Sequence, residues 1–385
     1  MNTTFQAGYF KAKRASLQRG MSLIETMVGM VIGLLVALII AQVWGNFEGQ
    51  KQRTVSGSSA QSSGLLALTA LEQDVRNAGA GLTESAAFDC TTTYSYYQSG
   101  GTTVSPIPAY AGGLSMVPVQ IIDGGTGSDT LIVKRGSDFL GSLPTTIDQT
   151  MPSSSADLKV TSVSGFADND IVLVVDSTTG NCTVMGLTQV QNAALHLQHN
   201  SGGSTTYNPS TPFQATNNWP AYTSGAKILK IGALISRSYT VNANNQLILT
   251  DASVPSGSTS SILATDIVKI KAQYGIADVD SQVVNDWVNA TAATGWNTLI
   301  SVNAKRIKAI RLVIVARSAK KEGANVTNTC TNVSGGVNNG PCAWRDTAAD
   351  PAPLIDLSAN ADWRKYRYRV YQTIIPLRNV IWAGV

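Results

Sequence analysis

The sequence predicts an α+β protein in which a long amino-terminal transmembrane and amphipathic α-helix packs on a β-rich, antiparallel globular domain. Three observations support this fold class. Residues 26–47 form an uncharged, apolar run. Apolar residues then recur at helical spacing toward residue 81, and short β-prone segments separated by polar turns fill residues 82–385.

The first twenty residues hold the excess positive charge of the chain. They contain four basic residues and no acidic residue, namely Lys11, Lys13, Arg14 and Arg19. Subtracting these four from the 28 Lys and Arg leaves 24 basic groups against 24 acidic groups, so the remainder is formally neutral. A neutral remainder gives no support to a general attraction to nucleic acid or anionic lipid.

The apolar run is long enough to cross a membrane. Its 22 residues would cover about 33 Å as a helix, against a hydrocarbon core of roughly 30 Å. Basic residues before the run predict a cytoplasmic leader of residues 1–20 and a translocated body. We therefore divide the chain into the leader, a transmembrane helix of residues 21–55, an amphipathic helix of residues 56–81 and a periplasmic body of residues 82–385. Residues 56–64 are rich in Ser and Gly and are the expected weak point of the helix.

Glu25 interrupts the apolar pattern at its start. A carboxylate in a membrane helix costs about 2.5–3.5 kcal/mol near the centre of the bilayer and less near its edge, so Glu25 calls for a positive partner. An ordinary secretory signal has a shorter apolar core and a small-residue cleavage site. A plain single-span anchor would explain the length of the run but not the glycine–glutamate junction before it, at residues 20–25.

The residues around Glu25 resemble the cleavage junction of type IV prepilins, with Arg19, Gly20 and Met21 followed by Ser-Leu-Ile and Glu25. The resemblance implies that a prepilin peptidase cuts after Gly20 and that Met21 becomes the N-methylated amino terminus. It also implies that Glu25 meets the amino terminus of a neighbouring subunit, because pairing two buried charges removes both desolvation costs together. The family more often has Phe at the position of Met21.

Gly29 and Gly33 form a Gly-x-x-x-Gly pair within the apolar run. This spacing favours the close approach of another helix. The alternative is that glycine is simply common in membrane helices.

The body contains nine segments that are predicted as strands because β-branched and aromatic residues dominate them between turn-forming stretches. They are residues 130–134, 158–163, 171–176, 183–190, 228–241, 246–249, 267–274, 307–317 and 366–377. Polar, Gly-rich stretches such as 199–218, 252–261 and 331–340 are expected to be loops.

Five body segments resemble the PilW group of minor pilins and occur in that group's order. They are residues 71–82, 165–177, 268–278, 310–318 and 368–379. The resemblance implies a pilin-like fold and a minor subunit of a type IV pilus, the fimbrium of twitching motility and adhesion. It implies an inner-membrane anchor with a periplasmic body, followed by export into the extracellular pilus. The implied partners are the prepilin peptidase, other minor and major pilins, the inner-membrane assembly platform, and a PilY-type tip adhesin presented by the complex that starts assembly.

The four cysteines show no Cys-x-x-Cys spacing, which argues against a zinc site or a thioredoxin-like redox motif. An even number in an exported chain predicts two disulfides with three possible connectivities. We favour Cys330–Cys342, because a short loop of Gly, Asn and Pro separates them, which leaves Cys90–Cys182. Four unpaired buried thiols are the alternative.

No nucleophile elbow, phosphate-binding loop, dinucleotide fingerprint or metalloprotease motif occurs, so we predict a protein that is not an enzyme and has no cofactor. His196 and His199 would point to opposite faces of a strand, which disfavours a metal site. Asp278, Asp280 and Asp286 could supply calcium ligands, but their loop lacks the glycine and glutamate of an EF-hand. A solvated acidic turn is the expected structure there.

Two groups of basic residues raise the question of nucleic-acid binding. They are Lys305, Arg306, Lys308 and Arg311, and Arg364, Lys365, Arg367 and Arg369. Tyrosines interleave with the second group, as in single-strand binding surfaces. An amphipathic strand with one charged, solvated face explains the same pattern, and nucleic acid is not an expected partner.

Two other functions share parts of this pattern. A pseudopilin of a type II secretion system has the same leader and long helix. A membrane-anchored periplasmic enzyme or sugar-binding protein would instead require a convergent polar pocket in the body, which the sequence does not reveal.

Overall fold

The computed structural model describes residues 22–82, 85–99, 102–104, 116–137, 143–200, 207–251, 259–344 and 352–383. The chain divides into two compact units, Met1–Val55 and Ser56–Val385. The long helix α1 spans Leu23–Arg76 and contributes to both units. A helix of this length followed by a β-rich body confirms the predicted α+β class.

Within the second unit, α1 packs through a stripe of small and apolar side chains. Ala60, Ala67, Leu71 and Val75 are all buried in the main core. The weak point expected at residues 56–64 is therefore wrong: the helix continues through this segment, because packing on the body outweighs its low helix propensity. The helix ends at Arg76, five residues before the predicted end.

The turn that follows α1 explains this early end. Gly79 and Gly81 both have positive φ angles, of 75° and 77°. Glycine adopts this conformation without a steric penalty and commonly closes helices. The Gly79 amide donates a hydrogen bond to the carbonyl of Lys134, which joins the turn to the body.

The other described elements are short helices and many strands. The helices are α2 Thr211–Thr216, α3 Ser301–Arg306 and α4 Arg378–Ala383, with 3-10 turns at Ser85–Asp89 and Trp363–Lys365. The strands are β1 Thr92–Ser95, β2 Tyr97–Ser99, β3 Thr102–Val104, β4 Val119–Ile122, β5 Thr130–Gly136, β6 Thr145–Thr146, β7 Leu158–Lys159, β8 Ile171–Asp176, β9 Asn181–Gly186, β10 Gln189–Gln191, β11 His196–Gln198, β12 Lys227–Lys230, β13 Leu234–Val241, β14 Gln246–Asp251, β15 Thr259–Thr265, β16 Ile267–Ile276, β17 Asp286–Val288, β18 Ile307–Arg317, β19 Cys330–Thr331, β20 Val337–Asn338 and β21 Tyr368–Pro376.

Three larger sheets form most of the body. Two have five strands, β15-β14-β13-β5-β4 and β1-β9-β8-β12-β6, and a third has four strands, β17-β16-β18-β21. A three-stranded sheet, β10-β11-β7, and two hairpins, β19-β20 and β2-β3, complete the described sheets. In β18 every residue except the last is buried, so this strand lies at the centre of the body.

Most of the described pairing is antiparallel, as predicted, but β1 runs parallel to β9. The disulfide Cys90–Cys182 joins the start of β1 to β9, with Thr93 opposite Cys182. A parallel pair needs a long connection, and 92 residues separate these two cysteines. The second disulfide, Cys330–Cys342, encloses the β19-β20 hairpin. These are the two pairings that the sequence favours.

Several predicted strands differ from the structure for local reasons. The segment 228–241 forms two strands, because Gly232 has a positive φ of 64° between β12 and β13. The segment 183–190 likewise divides into β9 and β10, and only two residues of 158–163 are in β7. Part of 252–261, expected as a loop, belongs to β15, an edge strand whose exposed face explains its polar composition.

Candidate functional site on the amino-terminal helix

The first unit exposes a continuous apolar helix surface. Its segment Leu23–Lys51 is 29 residues long and apolar enough to cross a membrane, and none of its most apolar stretch is buried. Its exposed large side chains are Leu23, Ile24, Met27, Val28, Met30, Val31, Ile32, Leu34, Leu35, Val36, Leu38, Ile39, Ile40, Val43, Trp44 and Phe47. A surface of this size requires an apolar environment, which lipid or other helices can supply.

Glu25 lies in the first turn of α1 and is exposed. This end of a helix carries a partial positive charge that favours a carboxylate. The adjacent Thr26 hydroxyl donates to the carbonyl of Leu23 at 2.9 Å, so this hydroxyl has a partner within its own helix. Gly20 and Met21 lie outside the described residues, and their roles in cleavage and methylation stay predictions.

Gly29 and Gly33 are open to a neighbouring helix. A Cβ atom added at either position would meet no other atom of the protein within 4 Å, apart from its own helix and chain neighbours. The same four-residue spacing continues with small residues that the sequence analysis overlooked, namely Ala37, Ala41, Gly45 and Gly49. Residues four apart lie along one ridge of a helix, so this ridge starts at Glu25 and permits close helix contact along its length.

Asp74 joins α1 to strand β13 of the second unit. This buried carboxylate accepts two hydrogen bonds from Nη1 of Arg237, at 3.0 and 3.1 Å, and one from the hydroxyl of Tyr239. Arg237 also donates through Nε to Asp251 at 3.0 Å. Burial, together with the Asp74 carboxylate, raises the pKa of Tyr239 above its ordinary value. Its hydroxyl therefore stays protonated and donates.

A second attachment joins α1 to the edge strand β21. The Tyr371 hydroxyl donates to the carbonyl of Gln61 at 3.0 Å. The Tyr371 ring lies so close to Gly64 that an added Cβ would approach its Cε2 to 2.1 Å. Gly64 therefore gives the ring room to cross the helix, which accounts for a glycine inside a long helix.

The two histidines make separate contacts within the body. Nε2 of His199 lies 2.8 Å from the carbonyl of Ala156, and burial lowers the pKa of His199, which favours the neutral ring. His196 is in β11, with Nδ1 3.8 Å from a carboxylate oxygen of Asp157. Across the described part of the chain, no group of three His, Cys, Asp or Glu residues is arranged to hold a metal ion.

The acidic residues considered for calcium are divided between two elements. Asp278 and Asp280 lie in an exposed turn after β16. Asp286 begins β17 and pairs with Ile276. This placement matches the solvated acidic turn favoured by the sequence.

Several of the basic residues considered for nucleic acid have partners within the chain. Arg311 is buried between the rings of Trp287 and Trp344, with its guanidinium carbon 4.8 and 4.4 Å from the ring centres. It also donates to Gln273. Three further cations have acidic partners, in the pairs Lys305–Asp89, Lys365–Asp362 and Arg367–Glu322. The solvated strand face expected for the first group is therefore wrong at Lys308 and Arg311, which are both buried. Lys305, Lys365 and Arg367 instead form partly exposed ion pairs.

Comparison with known families gives two matches. Residues 233–379 match the family described as Type IV Pilus-assembly protein W, PilW. Residues 15–41 match the Prokaryotic N-terminal methylation motif. No curated protein and no solved structure matches the chain. The first match contains Arg237, Tyr239 and Tyr371, and the second contains Glu25 and the Gly29–Gly33 pair.

The two matches support a PilW-family prepilin, which is the family that the sequence resembles. The apolar helix and the leader motif fit a pilin anchored in the inner membrane. The family also implies interaction with the pilus machinery and with other pilins.

Proposed function

Taking this prepilin family as the premise, we propose that the chain is a minor subunit of a type IV pilus that helps to start filament assembly. One observation carries the proposal: an exposed apolar helix with Glu25 in its first turn is joined in one chain to a PilW-type body. The subunit enters the inner membrane with its body in the periplasm and is cleaved after Gly20. It then leaves the membrane as part of the extracellular pilus. Its work is structural, without catalysis.

The helix suits this transfer from lipid to filament. Its apolar side chains face lipid before assembly and the helices of other subunits afterwards, so the apolar surface avoids water in both states. Association in lipid depends on close packing and polar contacts more than on the hydrophobic effect. The ridge of small residues supports the packing, and Glu25 supports the register by pairing with the amino group of a neighbouring subunit.

The proposed partners follow the order of the pathway. A prepilin peptidase processes the leader, and N-methylation modifies Met21. The inner-membrane assembly platform receives the subunit, and other minor and major pilins surround its helix. In the complex at the pilus tip, a PilY-type adhesin is the proposed outermost partner.

Mass spectrometry of the mature amino terminus tests the prepilin part of the proposal. We expect a chain that starts at Met21 with a methylated amino group. An intact Met1, or cleavage beyond Val43, would refute it, because neither product has Glu25 as the fifth residue of the mature chain.

Deletion of the gene tests the role in assembly. We expect pili to be absent or strongly reduced, and expression of the intact chain should restore them. Undiminished pili and twitching would contradict a role in starting assembly. Normal pili together with defective protein secretion would instead indicate a type II secretion pseudopilin.

A further inference from the structure

The turn between β4 and β5 contacts a lysine that belongs to another sheet. Residues 123–129 have the sequence Asp-Gly-Gly-Thr-Gly-Ser-Asp, and Lys271 reaches them from β16. Its Nζ atom lies 2.6 Å from Oδ1 of Asp129 and 3.4 Å from Oδ1 of Asp123. One amine and two carboxyl groups are therefore in contact, although 142 residues separate Lys271 from Asp129.

Two of these three side chains are almost completely removed from water. The side chains of Lys271 and Asp129 are 4% and 3% exposed, whereas that of Asp123 is 31% exposed. Burial raises the pKa of Asp129, and the charge of Lys271 opposes this effect. Moving one proton from the ammonium to the carboxylate removes both buried charges. The products are a neutral amine and a carboxylic acid, the two groups that condense to an amide.

Backbone amides hold the Asp129 carboxyl group through both of its oxygens. The Gly124 amide donates to Oδ1 at 3.0 Å, and the Ala272 amide donates to Oδ2 at 2.9 Å. The amide of Asp129 itself donates to the carbonyl of Ile270 at 2.9 Å, which fixes the backbone as well. Donors at both oxygens stabilise the negative charge that develops when a nucleophile adds to a carboxyl carbon.

A cavity beside the lysine gives a small product a way out. It has a volume of about 210 Å³, and Asn289, Thr291, Pro353 and Leu354 complete its lining around the three charged side chains. One water molecule occupies only about 30 Å³ in the liquid. Water released at Asp129 can therefore leave while the turn stays folded.

We propose that Lys271 and Asp129 form an intramolecular isopeptide bond, with Asp123 as the proton acceptor. Nζ of the neutral lysine adds to Cγ of the protonated Asp129, and Asp123 takes a proton from the nitrogen. The C–O bond then breaks, and the hydroxyl leaves as water with the proton that Asp123 held. One C–N bond replaces one C–O bond, one water molecule is released, and no oxidant or cofactor is consumed.

The bond would join two sheets covalently. Asp129 directly precedes β5 of the sheet β15-β14-β13-β5-β4, and Lys271 lies in β16 of the sheet β17-β16-β18-β21. The fold holds the two groups in contact, so the condensation is an intramolecular step between oriented groups. The bond itself does not depend on the proposed function, whereas its use in resisting tension along a filament does.

Intact mass spectrometry of the purified full chain, denatured after folding, tests the bond. We expect a mass that is lower by one water molecule than the mass calculated for the observed amino terminus and two disulfides. An ion pair is lost in denaturant and leaves the mass unchanged. An unchanged mass would therefore overturn the proposal.

Tryptic peptides locate the lost water. After reduction of the disulfides we expect a branched product that joins residues 77–134 to residues 270–305, because trypsin does not cleave after a lysine whose side chain is an amide. A succinimide at Asp123 and Gly124 would lose the same mass. It would leave these peptides linear, with normal cleavage after Lys271, and that result would also reject the bond.

Three substitutions separate the roles of the groups. Lys271→Met should abolish the bond. Asp123→Asn should lower the cross-linked fraction at least about tenfold at equal times after expression, since it removes the proton acceptor. Lys269→Met is the matched control and should keep the bond, because this neighbouring buried lysine donates to the carbonyl of Thr126 instead.

The Asp123 variant keeps the test decisive if Lys271→Met fails to fold. Asp123 is partly exposed, and its replacement by Asn leaves both groups of the bond in place. An undiminished cross-linked fraction in Asp123→Asn would contradict the proposed proton transfer. Loss of the bond in this variant, with the bond intact in Lys269→Met, would support it.

Discussion

Asp74 on α1 and Arg237 on β13 form an ion pair of 3.0 Å, although 163 residues separate them along the chain. The pair closes a network that also contains Tyr239 and Asp251. Because Asp74 is buried, its charge depends on these donors for the stabilisation that water would otherwise supply. The network therefore holds the second half of the helix and the five-stranded sheet β15-β14-β13-β5-β4 in one arrangement.

Asp74→Asn should destabilise the body strongly. The change keeps the shape of the side chain but removes the charge, and it leaves Arg237 with only Asp251 as an acidic partner. We expect the free energy of unfolding to fall by about 2–3 kcal/mol, measured by denaturation of the full chain in detergent. Glu72→Gln is the matched control, because the Glu72–Arg76 pair lies on the same helix but is more exposed. It should cost less than about 1 kcal/mol, and equal effects of the two substitutions would contradict the importance of the network.

Gly64 and Gly57 should respond in opposite ways to alanine. At Gly64 the new Cβ would collide with the Tyr371 ring, whereas at Gly57 it would meet nothing within 4 Å. Gly57→Ala should therefore stabilise the helix by up to about 1 kcal/mol through helix propensity. Gly64→Ala should lose about 1–3 kcal/mol because it overpacks this contact.

Thermal unfolding of both variants checks this difference. Tyr371→Ala combined with Gly64→Ala should cost less than the sum of the two single changes, because the collision is absent in the double variant. Additive losses would show that the ring and the glycine act independently.

Local sequence patterns predict some elements of this fold and not others. The strand at residues 307–317 is predicted with its observed bounds, because its run of buried β-branched residues is a local property. The apolar run of α1 is equally local. The continuation of the helix through residues 56–64 could not be predicted, since its contacts come from distant parts of the chain, such as the hydrogen bond from Tyr371, more than three hundred residues away, to Gln61.

The burial of charged residues also depends on contacts between residues that are distant in sequence. Lys308 and Arg311 are charged, and the sequence therefore favours solvated positions for both. In the structure both are buried, because residues distant in sequence cover them, including Trp344 above Arg311. The roles proposed for Glu25 and the glycine pair come from sequence, because an acidic residue beside an apolar run and a Gly-x-x-x-Gly spacing are both local signals.

Lys134 should make the stability of the body depend on pH. Burial lowers its pKa from 10.5 to about 8, so the folded chain releases this proton at a lower pH than the unfolded chain. Between about pH 8 and pH 10.5 the unfolded chain binds more protons, and the contribution of Lys134 to stability rises with pH across this window. As the pH falls through about 8 this contribution is lost.

Comparison with Lys134→Met isolates this effect from other titrating groups. The difference in unfolding free energy between the original chain and the variant should change by about 2–3 kcal/mol between pH 7 and pH 10. Lys320→Met, at an exposed position, is the control and should show no such change. A constant difference between the original chain and Lys134→Met would exclude the proposed titration.

Glu25→Gln should separate processing of the chain from its assembly. The variant keeps the size and polarity of the side chain but cannot form an ion pair with the amino group of a neighbouring subunit. We expect normal membrane insertion and cleavage after Gly20, with incorporation into purified pili reduced at least tenfold, which corresponds to a loss of about 1.4 kcal/mol or more in the assembled state. Immunoblots of the membrane and pilus fractions measure both quantities in one culture.

Glu48→Gln is the matched control, because Glu48 lies on the same helix near the other end of the apolar segment. It should leave incorporation within about twofold of the original chain, since a partly exposed carboxylate near the membrane boundary keeps access to water. Glu25→Asp keeps the charge on a shorter side chain and should recover part of the incorporation. Equal incorporation of Glu25→Gln and Glu48→Gln would show that the carboxylate at position 25 does not set the register of the subunit, whereas loss of cleavage in Glu25→Gln would place its role at the peptidase.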